Sequence, residues 1–205
     1  MKNEVDMFAY ERSLRANGAW LIGGMDEAGR GPLAGPVVAA AVIMPSEDPI
    51  EGVNDSKQLS EKKRERLYDE IIAQAIDYKI SAVSEKIIDE INILNATKRA
   101  MTECVENFAI SPHVVLIDAV KLSLEVPTVS IIKGDALCYS IAAASILAKV
   151  YRDRLMVAYD EQYPQYGFAR HKGYGTREHI EALRKYGPCP IHRRSFITHF
   201  ISDDE

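Results

Sequence analysis

Residues 23–36 read Gly-Gly-Met-Asp-Glu-Ala-Gly-Arg-Gly-Pro-Leu-Ala-Gly-Pro, and the rest of the chain is organised around this stretch. Two adjacent carboxylates, Asp26 and Glu27, interrupt an apolar run that is typical of a buried strand. An ionised carboxylate leaving such a strand must be solvated, paired or bound to a cation, because desolvating it alone costs too much free energy. Glycines on both sides of Arg30 remove the Cβ atoms that would keep a ligand off the backbone. The stretch predicts a site for a metal ion and a phosphate; a polar β-turn with a surface arginine is the alternative.

The composition is typical of a soluble globular protein with one full core. The chain has 205 residues, of which 47% are hydrophobic and 27% charged, which fits either one domain with a full core or one domain plus a short appendage. No apolar run approaches the ~20 residues that span a bilayer, and the polar, acidic residues 1–6 do not resemble a signal sequence. The cysteines are odd in number and lack metal-ligand spacing, which argues against a disulfide framework or a zinc site. We therefore expect a cytoplasmic protein without a membrane partner.

The charge is unevenly distributed along the chain. The net charge is −5, yet residues 1–120 carry 13 basic and 20 acidic residues while residues 121–199 carry 12 and 7. A basic C-terminal half is compatible with a surface that faces nucleic-acid phosphates. A solvated surface with uneven charge explains the same counts equally well.

Hydrophobic periodicity predicts an α/β domain. Apolar runs and alternating patterns predict strands over about 20–26, 36–44, 78–83, 113–117 and 127–132. Helical spacing and capping residues predict helices over about 1–18, 60–75, 85–92, 95–110, 137–160 and 176–187. In the first of these, Val5, Phe8, Ala9 and Arg12 share one side. A tight turn joins the first two strands as a hairpin and helices connect the third to the fourth, so we expect a mixed sheet.

Three of the predicted strands end in an acid. Asp26 with Glu27, then Asp118, then Asp135 follow the first, fourth and fifth strands. Neighbouring strands lie under ~5 Å apart, so these carboxylates can converge on one site. Clustered carboxylates repel unless cations are bound, and hard oxygen ligands favour Mg²⁺ or Mn²⁺. Adjacent strand residues point to opposite faces, so Asp26 and Glu27 share a site only if the backbone turns there; Asp118 as a turn residue and Asp135 as a helix cap are the alternatives.

Six motifs, taken together, resemble bacterial ribonuclease HII, a type 2 ribonuclease H. They are Asp26-Glu-Ala-Gly-Arg-Gly-Pro-Leu-Ala-Gly-Pro36, Asp55-Ser-Lys-Gln-Leu-Ser60, Ile117-Asp118, Lys133-Gly-Asp135, Ala142-Ala-Ala-Ser-Ile-Leu-Ala-Lys-Val150 and His171-Lys-Gly-Tyr-Gly175. The match runs from about residue 20 to residue 196 in the family's order and spacing. The resemblance implies a ribonuclease H-like fold, with a central mixed sheet flanked by helices and a helical C-terminal region. Residues 1–18 are then a short helical extension, and residues 19–205 the catalytic domain.

The resemblance also implies an activity. Members cleave RNA within RNA–DNA hybrids and cut 5′ to single ribonucleotides in duplex DNA, which leaves a 3′-hydroxyl and a 5′-phosphate. Such an enzyme removes misincorporated ribonucleotides and RNA primers during replication and repair, acts with two Mg²⁺ or Mn²⁺ ions, and is expected here as a monomer. A non-catalytic binder on the same fold predicts a missing acid. A nuclease or strand-transfer enzyme acting on DNA alone has no use for a turn that reads a 2′-hydroxyl.

Residue roles follow from the resemblance position by position. Asp26, Glu27, Asp118 and Asp135 are the metal-binding catalytic acids. Gly29-Arg30-Gly31 resembles the turn whose backbone recognises the ribose 2′-hydroxyl, which distinguishes RNA from DNA. Tyr174 resembles the tyrosine that stacks on the sugar of the following deoxyribonucleotide, although a tyrosine between two glycines is also a common loop-packing residue. Phosphate contacts are expected from a set of basic residues, with a solvated surface side chain as the alternative for each: Lys57, Lys149, Arg152, Arg170 and Lys172. No role is assigned to His171, His179, His192 or His199.

Overall fold

Five strands form one mixed sheet in the computed structural model, which describes residues 5–201. The strands are β1 (Ile22–Ala28), β2 (Val37–Ile43), β3 (Asp77–Val83), β4 (Val114–Asp118) and β5 (Thr128–Ile131). Their order across the sheet is β3-β2-β1-β4-β5. β1 pairs antiparallel with β2 and parallel with β4, while β3 and β5 extend the two sides. The predicted strands and the mixed sheet are confirmed, but β1 continues two residues past the expected end at Asp26.

Eight α-helices precede, connect or follow these strands in residues 5–201, and one turn of 3₁₀-helix spans Ser56–Gln58. The α-helices are α1 (Ala9–Ala16), α2 (Glu61–Gln74), α3 (Glu85–Glu106), α4 (Gly134–Leu137), α5 (Tyr139–Gln162), α6 (Phe168–His171), α7 (Arg177–Tyr186) and α8 (Arg194–Ile197). Asn92 interrupts α3 with a φ of 65°, which agrees with the two helical stretches predicted there. The three four-residue helices were not predicted, because one turn is too short to show a hydrophobic period. Within the described residues, no helix combines the length and apolarity needed to cross a membrane.

The core lies on both faces of the sheet. Every residue of β2 is buried, and alternate side chains of this strand face opposite sides. Val38, Ala40 and Val42 pack with the alanines of α5 and with α2. Val37, Ala39 and Ala41 pack with α3. The continuous apolar sequence of β2 therefore reflects a central strand covered by helices on both sides.

Gly24 allows α5 to approach β1 closely. A Cβ at this position would lie 2.0 Å from the carbonyl carbon of Ser140, at the start of α5. Such a distance is shorter than any van der Waals contact, so the packing requires glycine. Because Gly24 and Asp26 are two residues apart on one strand, they share a face. The close approach thus brings α5 next to the first acid of the site.

Within the predicted N-terminal extension, residues 5–18 pack against the start of α5. The carboxylate of Glu11, 2% exposed, accepts hydrogen bonds from Ser140 N at 3.0 Å and Ser140 Oγ at 2.9 Å. These bonds satisfy donors at the N-terminus of α5, where a negative charge also interacts favourably with the positive end of the helix dipole. Of the residues predicted to share one side of this helix, Phe8 packs on the core, whereas Val5, Ala9 and Arg12 are exposed; the helix docks through Glu11 instead. Residues 1–4 of the predicted helix lie outside the described part of the chain.

Candidate active site

Three acids converge at one end of the sheet. Carboxylate oxygens of Asp26, Asp118 and Asp135 all lie within 4.8 Å of one another. The strand register explains the first two, since Met25 of β1 pairs with Ile117 of β4 and the next residue on each strand is the acid. Asp135 lies in α4, just beyond β5, the strand next to β4. Parallel pairing therefore brings together acids that are far apart in sequence.

Glu27 is not a member of this group of three. β1 remains extended through Asp26 and Glu27, so the turn that would put both side chains on one face is absent from this strand. Glu27 Oε1 lies 3.3 Å from Arg30 Nη1, and its buried Oε2 has no hydrogen-bond partner. Glu27 and Asp26 nevertheless line the same pocket of about 390 Å³. Glu27 is thus at the edge of the acidic site and keeps one oxygen available.

Burial and mutual repulsion disfavour the ionised acids. Burial raises the pKa of Asp26 well above its ordinary value, and the charges of Glu27 and Asp118 raise it further. Burial also raises the pKa values of Glu27 and Asp118. The nearby cation Lys57 contacts only one of the acids directly, with Nζ 3.0 Å from Asp135 Oδ2. Clustered, poorly neutralised carboxylate oxygens are the donor set that hard divalent cations prefer.

Backbone amides orient two of the acids. Asp118 Oδ1 accepts a 2.7 Å hydrogen bond from the amide of Gly134, and Asp26 Oδ1 accepts one of 2.7 Å from the amide of Glu27. Beside them, the hydroxyls of Ser145 and Ser56 lie 2.7 Å apart. Ser56, Ser145 and Arg64 all line the pocket. Sequence patterns did not single them out; the available signal was a serine within an otherwise apolar, alanine-rich helix.

Arg193 holds the glycine turn from behind. Its guanidinium donates to the carbonyl oxygens of Gly29 at 2.6 Å, Arg30 at 3.0 Å and Gly35 at 2.9 Å. Arg193 is completely buried, and burial lowers its pKa to about 9. In the sequence, no local pattern distinguishes Arg193 from the adjacent Arg194. Its role in shaping the turn emerges only from the structure.

Arg152 is a buried residue that binds backbone carbonyls just after the glycine turn. It is 1% exposed and donates to the carbonyls of Pro36, Ala34 and Lys172 at 2.9–3.1 Å. A Cβ at Gly29, whose φ is +95°, would lie 2.0 Å from Arg152 Nε. Arg152 also lines the pocket, but its donors are used by backbone carbonyls, so its contact with a phosphate stays a prediction.

The other predicted basic residues divide into two groups. Lys57 and Lys149 line the pocket; the Lys57 side chain is 73% exposed, whereas Lys149 pairs with Asp153 at 2.7 Å. Arg170 and Lys172 do not line it. Arg170 forms an ion pair with Glu178, and Lys172 Nζ donates to the carbonyl of Ala169. Only the first two are placed where they can meet a ligand in the pocket.

Tyr174 lines the same pocket as the acids. The side chain is 45% exposed and lines the same cavity as Asp26, Gly29 and Arg30. Its Cε1 lies 3.8 Å from the position that a Cβ would take at Gly31. An accessible aromatic ring beside the glycine turn offers a flat apolar surface to a ligand that reaches the acids.

The fold and the acidic site define a ribonuclease H-like protein. The crystal structure of ribonuclease H2 from Pyrococcus horikoshii OT3 superposes with a TM-score of 0.73 at 30% identity, covering 85% of this chain and 92% of that one. The ribonuclease HII in a complex with PCNA from Archaeoglobus fulgidus has a TM-score of 0.75 at 27% identity, covering 88% and 96%. Bst-RNase HIII, solved in complex with Mn²⁺, shares the fold at 19% identity with a TM-score of 0.62, covering 83% and 64%.

Sequence comparison assigns the family. The model of the family described as Ribonuclease HII matches residues 23–199, so the chain belongs to the ribonuclease HII family. Ribonuclease HII of Ruminiclostridium cellulolyticum is 59% identical over 196 residues, covering 95% of this chain and 77% of that protein. Ribonuclease HII of Caldicellulosiruptor bescii is 54% identical over 203 residues, and the match covers 98% of this chain and 98% of that protein. The chain is accordingly an endoribonuclease of the ribonuclease H type.

Proposed function

We propose that this protein is a divalent-metal-dependent endonuclease that cuts RNA in RNA–DNA hybrids and incises duplex DNA 5′ to single ribonucleotides. The products are a 3′-hydroxyl and a 5′-phosphate. One observation carries the proposal: three acids within 4.8 Å line or adjoin a pocket that also contains the glycine turn and Tyr174. Chemistry on a phosphodiester and recognition of the sugar beside it are thereby combined.

The acids fit a site for Mg²⁺ or Mn²⁺. Asp26, Asp118 and Asp135 would hold the ions, and Glu27 would contribute its unpartnered Oε2. Two bound ions would activate the attacking water and stabilise the leaving 3′ oxygen. The chain's own residues keep the ligand atoms in place. The Gly134 amide fixes Asp118, and the Glu27 amide fixes Asp26.

The backbone of the turn is oriented for sugar recognition. Arg193 draws the carbonyls of Gly29 and Arg30 towards itself, and no described peptide bond is cis. In a trans peptide the N–H points opposite to the carbonyl, so the amides of Arg30 and Gly31 point away from Arg193. We infer that these amides meet the ribose 2′-hydroxyl, which can both donate and accept hydrogen bonds. A deoxyribose lacks that partner, and this provides the discrimination.

The remaining residues hold the duplex. Tyr174 would stack on the deoxyribose that follows the ribonucleotide, and Lys57 with Lys149 would contact phosphates. Arg170 and Lys172 would contact phosphates only at the periphery of the duplex, because they lie outside the pocket. The enzyme would act as a cytoplasmic monomer that removes ribonucleotides and RNA primers during replication and repair.

A cleavage assay tests the proposal. Four duplexes of one sequence are compared: all DNA, DNA with one ribonucleotide, DNA with four consecutive ribonucleotides, and an RNA–DNA hybrid. We expect cleavage of the last three in Mg²⁺ or Mn²⁺, incision 5′ to the single ribonucleotide, and no cleavage in EDTA. Cutting of the all-DNA duplex at a comparable rate, or full activity in EDTA, would contradict it. An inert Asp26→Asn variant, purified in parallel, excludes a contaminating nuclease.

A further inference from the structure

Two histidines without a role in the proposed chemistry form a buried pair beneath Tyr174. His179 of α7 is 0% exposed and His192, just before α8, is 2% exposed. Their Nε2 atoms lie 3.0 Å apart. His179 Nδ1 lies 2.9 Å from the carbonyl oxygen of Tyr174, and His192 Nδ1 lies 3.0 Å from the amide nitrogen of Cys189. The histidine pair, His179 and His192, thus joins the Tyr174 loop to the chain segment that begins at Cys189.

The two ends of this chain of hydrogen bonds fix its direction. The Tyr174 carbonyl can only accept, so His179 Nδ1 carries a proton and donates. The Cys189 amide can only donate, so His192 Nδ1 is an acceptor and the ring's proton is on Nε2. His192 Nε2–H then donates to the unprotonated His179 Nε2. Every ring nitrogen is satisfied with both imidazoles neutral and each in one tautomer.

Burial favours the same protonation state. It lowers the pKa of His179 and of His192 to about 4. His171, stacked on His179 with ring centroids 4.5 Å apart, has its pKa lowered by burial as well. A proton added to either member of the pair would place two N–H groups face to face. The neutral, single-direction arrangement is the one that the geometry permits.

The pair also connects the two proposed recognition elements. His192 forms a bridge with Ala34, and the next residue, Arg193, binds the carbonyls of Gly29 and Arg30. On the other side, the amide of Gly173 donates to His171 Nδ1. The Tyr174 loop is therefore tied through imidazoles to the segment that shapes the glycine turn.

We propose that His179 and His192 are positioning residues that set Tyr174 relative to the glycine turn, and thereby determine how well the enzyme reads an isolated ribonucleotide. The inference deepens the proposed function and rests on it for the role of Tyr174. Neither histidine touches the substrate in this account. Their effect is exerted through the carbonyl of Tyr174.

A spectroscopic test addresses the arrangement itself. Long-range ¹H–¹⁵N spectra of the imidazoles in wild-type protein at neutral pH report which nitrogen carries the proton. We expect the Nδ1–H tautomer for His179 and the Nε2–H tautomer for His192. A solvent-exposed histidine instead exchanges between its two neutral tautomers and gives averaged nitrogen signals. Averaged signals, or the opposite tautomer at either residue, would overturn the proposal independently of any activity.

Two nearly isosteric variants test the consequence. In His179→Asn the side-chain amide replaces Nδ1–H and keeps the bond to Tyr174 but loses His192. In His179→Gln the amide reaches the Nε2 position and keeps His192 but loses Tyr174. We expect His179→Gln to lower kcat/KM on the single ribonucleotide about three- to tenfold more than on the continuous hybrid, because stacking is worth ~1–3 kcal/mol in full. His179→Asn should retain the wild-type ratio of the two substrates.

Thermal unfolding and a control complete the experiment. Both variants break one bond of the same chain, so comparable Tm values make any difference in substrate ratio a positioning effect. The exposed His199, changed to Gln, should leave both the ratio and Tm unchanged. Equal substrate ratios in His179→Asn and His179→Gln would overturn the proposal. If wild-type protein cleaves neither substrate, the proposed function fails, and with it the role assigned to the pair, even where the tautomers are as expected.

Discussion

The guanidinium of Arg193 donates a 2.6 Å hydrogen bond to the carbonyl oxygen of Gly29, although 164 residues separate them in sequence. Lysine at position 193 keeps the charge but not the planar fork of donors. We expect Arg193→Lys to lower the free energy of unfolding by about 2–4 kcal/mol, because buried carbonyls lose their donors. Cleavage of single-ribonucleotide duplexes should fall by more than the fraction of protein that is unfolded at the assay temperature. Denaturant unfolding and kcat/KM measure the two effects.

The adjacent Arg194 is the matched control for that experiment. Its side chain is exposed, so Arg194→Lys should leave both unfolding and cleavage within error of wild type. Equal effects from the two substitutions would contradict the assignment of the turn to Arg193.

Removal of one acid separates catalysis from stability. In Asp118→Asn the retained Oδ1 can still accept from Gly134, while one of three clustered charges disappears. Cleavage should fall by more than the ~10–100-fold that loss of an outer metal partner costs. In EDTA the variant should melt at the same temperature as wild type or higher, since repulsion is relieved. Near wild-type turnover in Mg²⁺ would sink the metal assignment.

Substitution of Tyr174 tests the reading of the junction. Tyr174→Ala should cost ~10–100-fold in rate on a single embedded ribonucleotide, where stacking is worth ~1–3 kcal/mol. Tyr174→Phe keeps the ring and should retain most activity. The loss in Tyr174→Ala should be smaller on a continuous hybrid, because further ribonucleotides provide recognition there. Equal losses on both substrates would make Tyr174 a general support of the site.

Salt dependence of binding reports the phosphate contacts. Duplex affinity, measured with the inactive Asp118→Asn protein, should fall linearly with the logarithm of salt concentration, at ~0.9 per phosphate contact. Lys57→Ala should reduce the slope by about 1 and leave the cleavage position unchanged. Lys86→Ala, on α3 at the opposite face of the sheet, provides the control and should not change the slope. A shifted cleavage position would mean that Lys57 sets the register of the duplex.

Acid should destabilise the protein through the histidine pair. Both imidazoles have folded-state pKa values of about 4, below the ordinary ~6.5 of an exposed histidine. The unfolded state therefore binds protons first, and stability present above pH ~6.5 is lost as the pH falls towards 4. The loss should be on the order of a few kcal/mol; His171 opposes protonation of both members of the pair, and Arg194 opposes protonation of His192. Urea unfolding between pH 7 and pH 4 measures it.

His192→Gln provides the comparison for the acid effect. It removes one titrating ring and should flatten the pH dependence of stability, whereas His199→Gln, at an exposed position, should follow the wild-type curve. A wild-type stability that is constant over this range would show that the pair is charged or solvent-accessible in the folded state.

Local sequence patterns were sufficient to predict the five strands, the longer helices and the positions of the acids at strand ends. Alternation and apolar runs locate the strands, and acids at the ends of β1, β4 and β5 indicate a cation site, because these signals depend only on nearby residues. The same reasoning exposes the difficulty with Glu27: adjacent strand residues face opposite sides, and β1 indeed stays extended through it. One-turn helices and the docking face of α1 escape prediction, because a buried glutamate has no local apolar signature.

By itself the sequence determined the mixed α/β fold, the family resemblance and the acids that converge. Only the tertiary structure decided which basic residues are buried in hydrogen bonds to the backbone and which remain exposed. Arg193 and Arg194 are the same residue side by side, yet one is buried under the glycine turn and the other is exposed. Arg152 and Arg154 differ in the same way along α5. The physical reason is that a guanidinium's role depends on the carbonyls it meets, and the carbonyls of residues 29–36 that Arg152 and Arg193 bind lie more than 100 residues away in sequence.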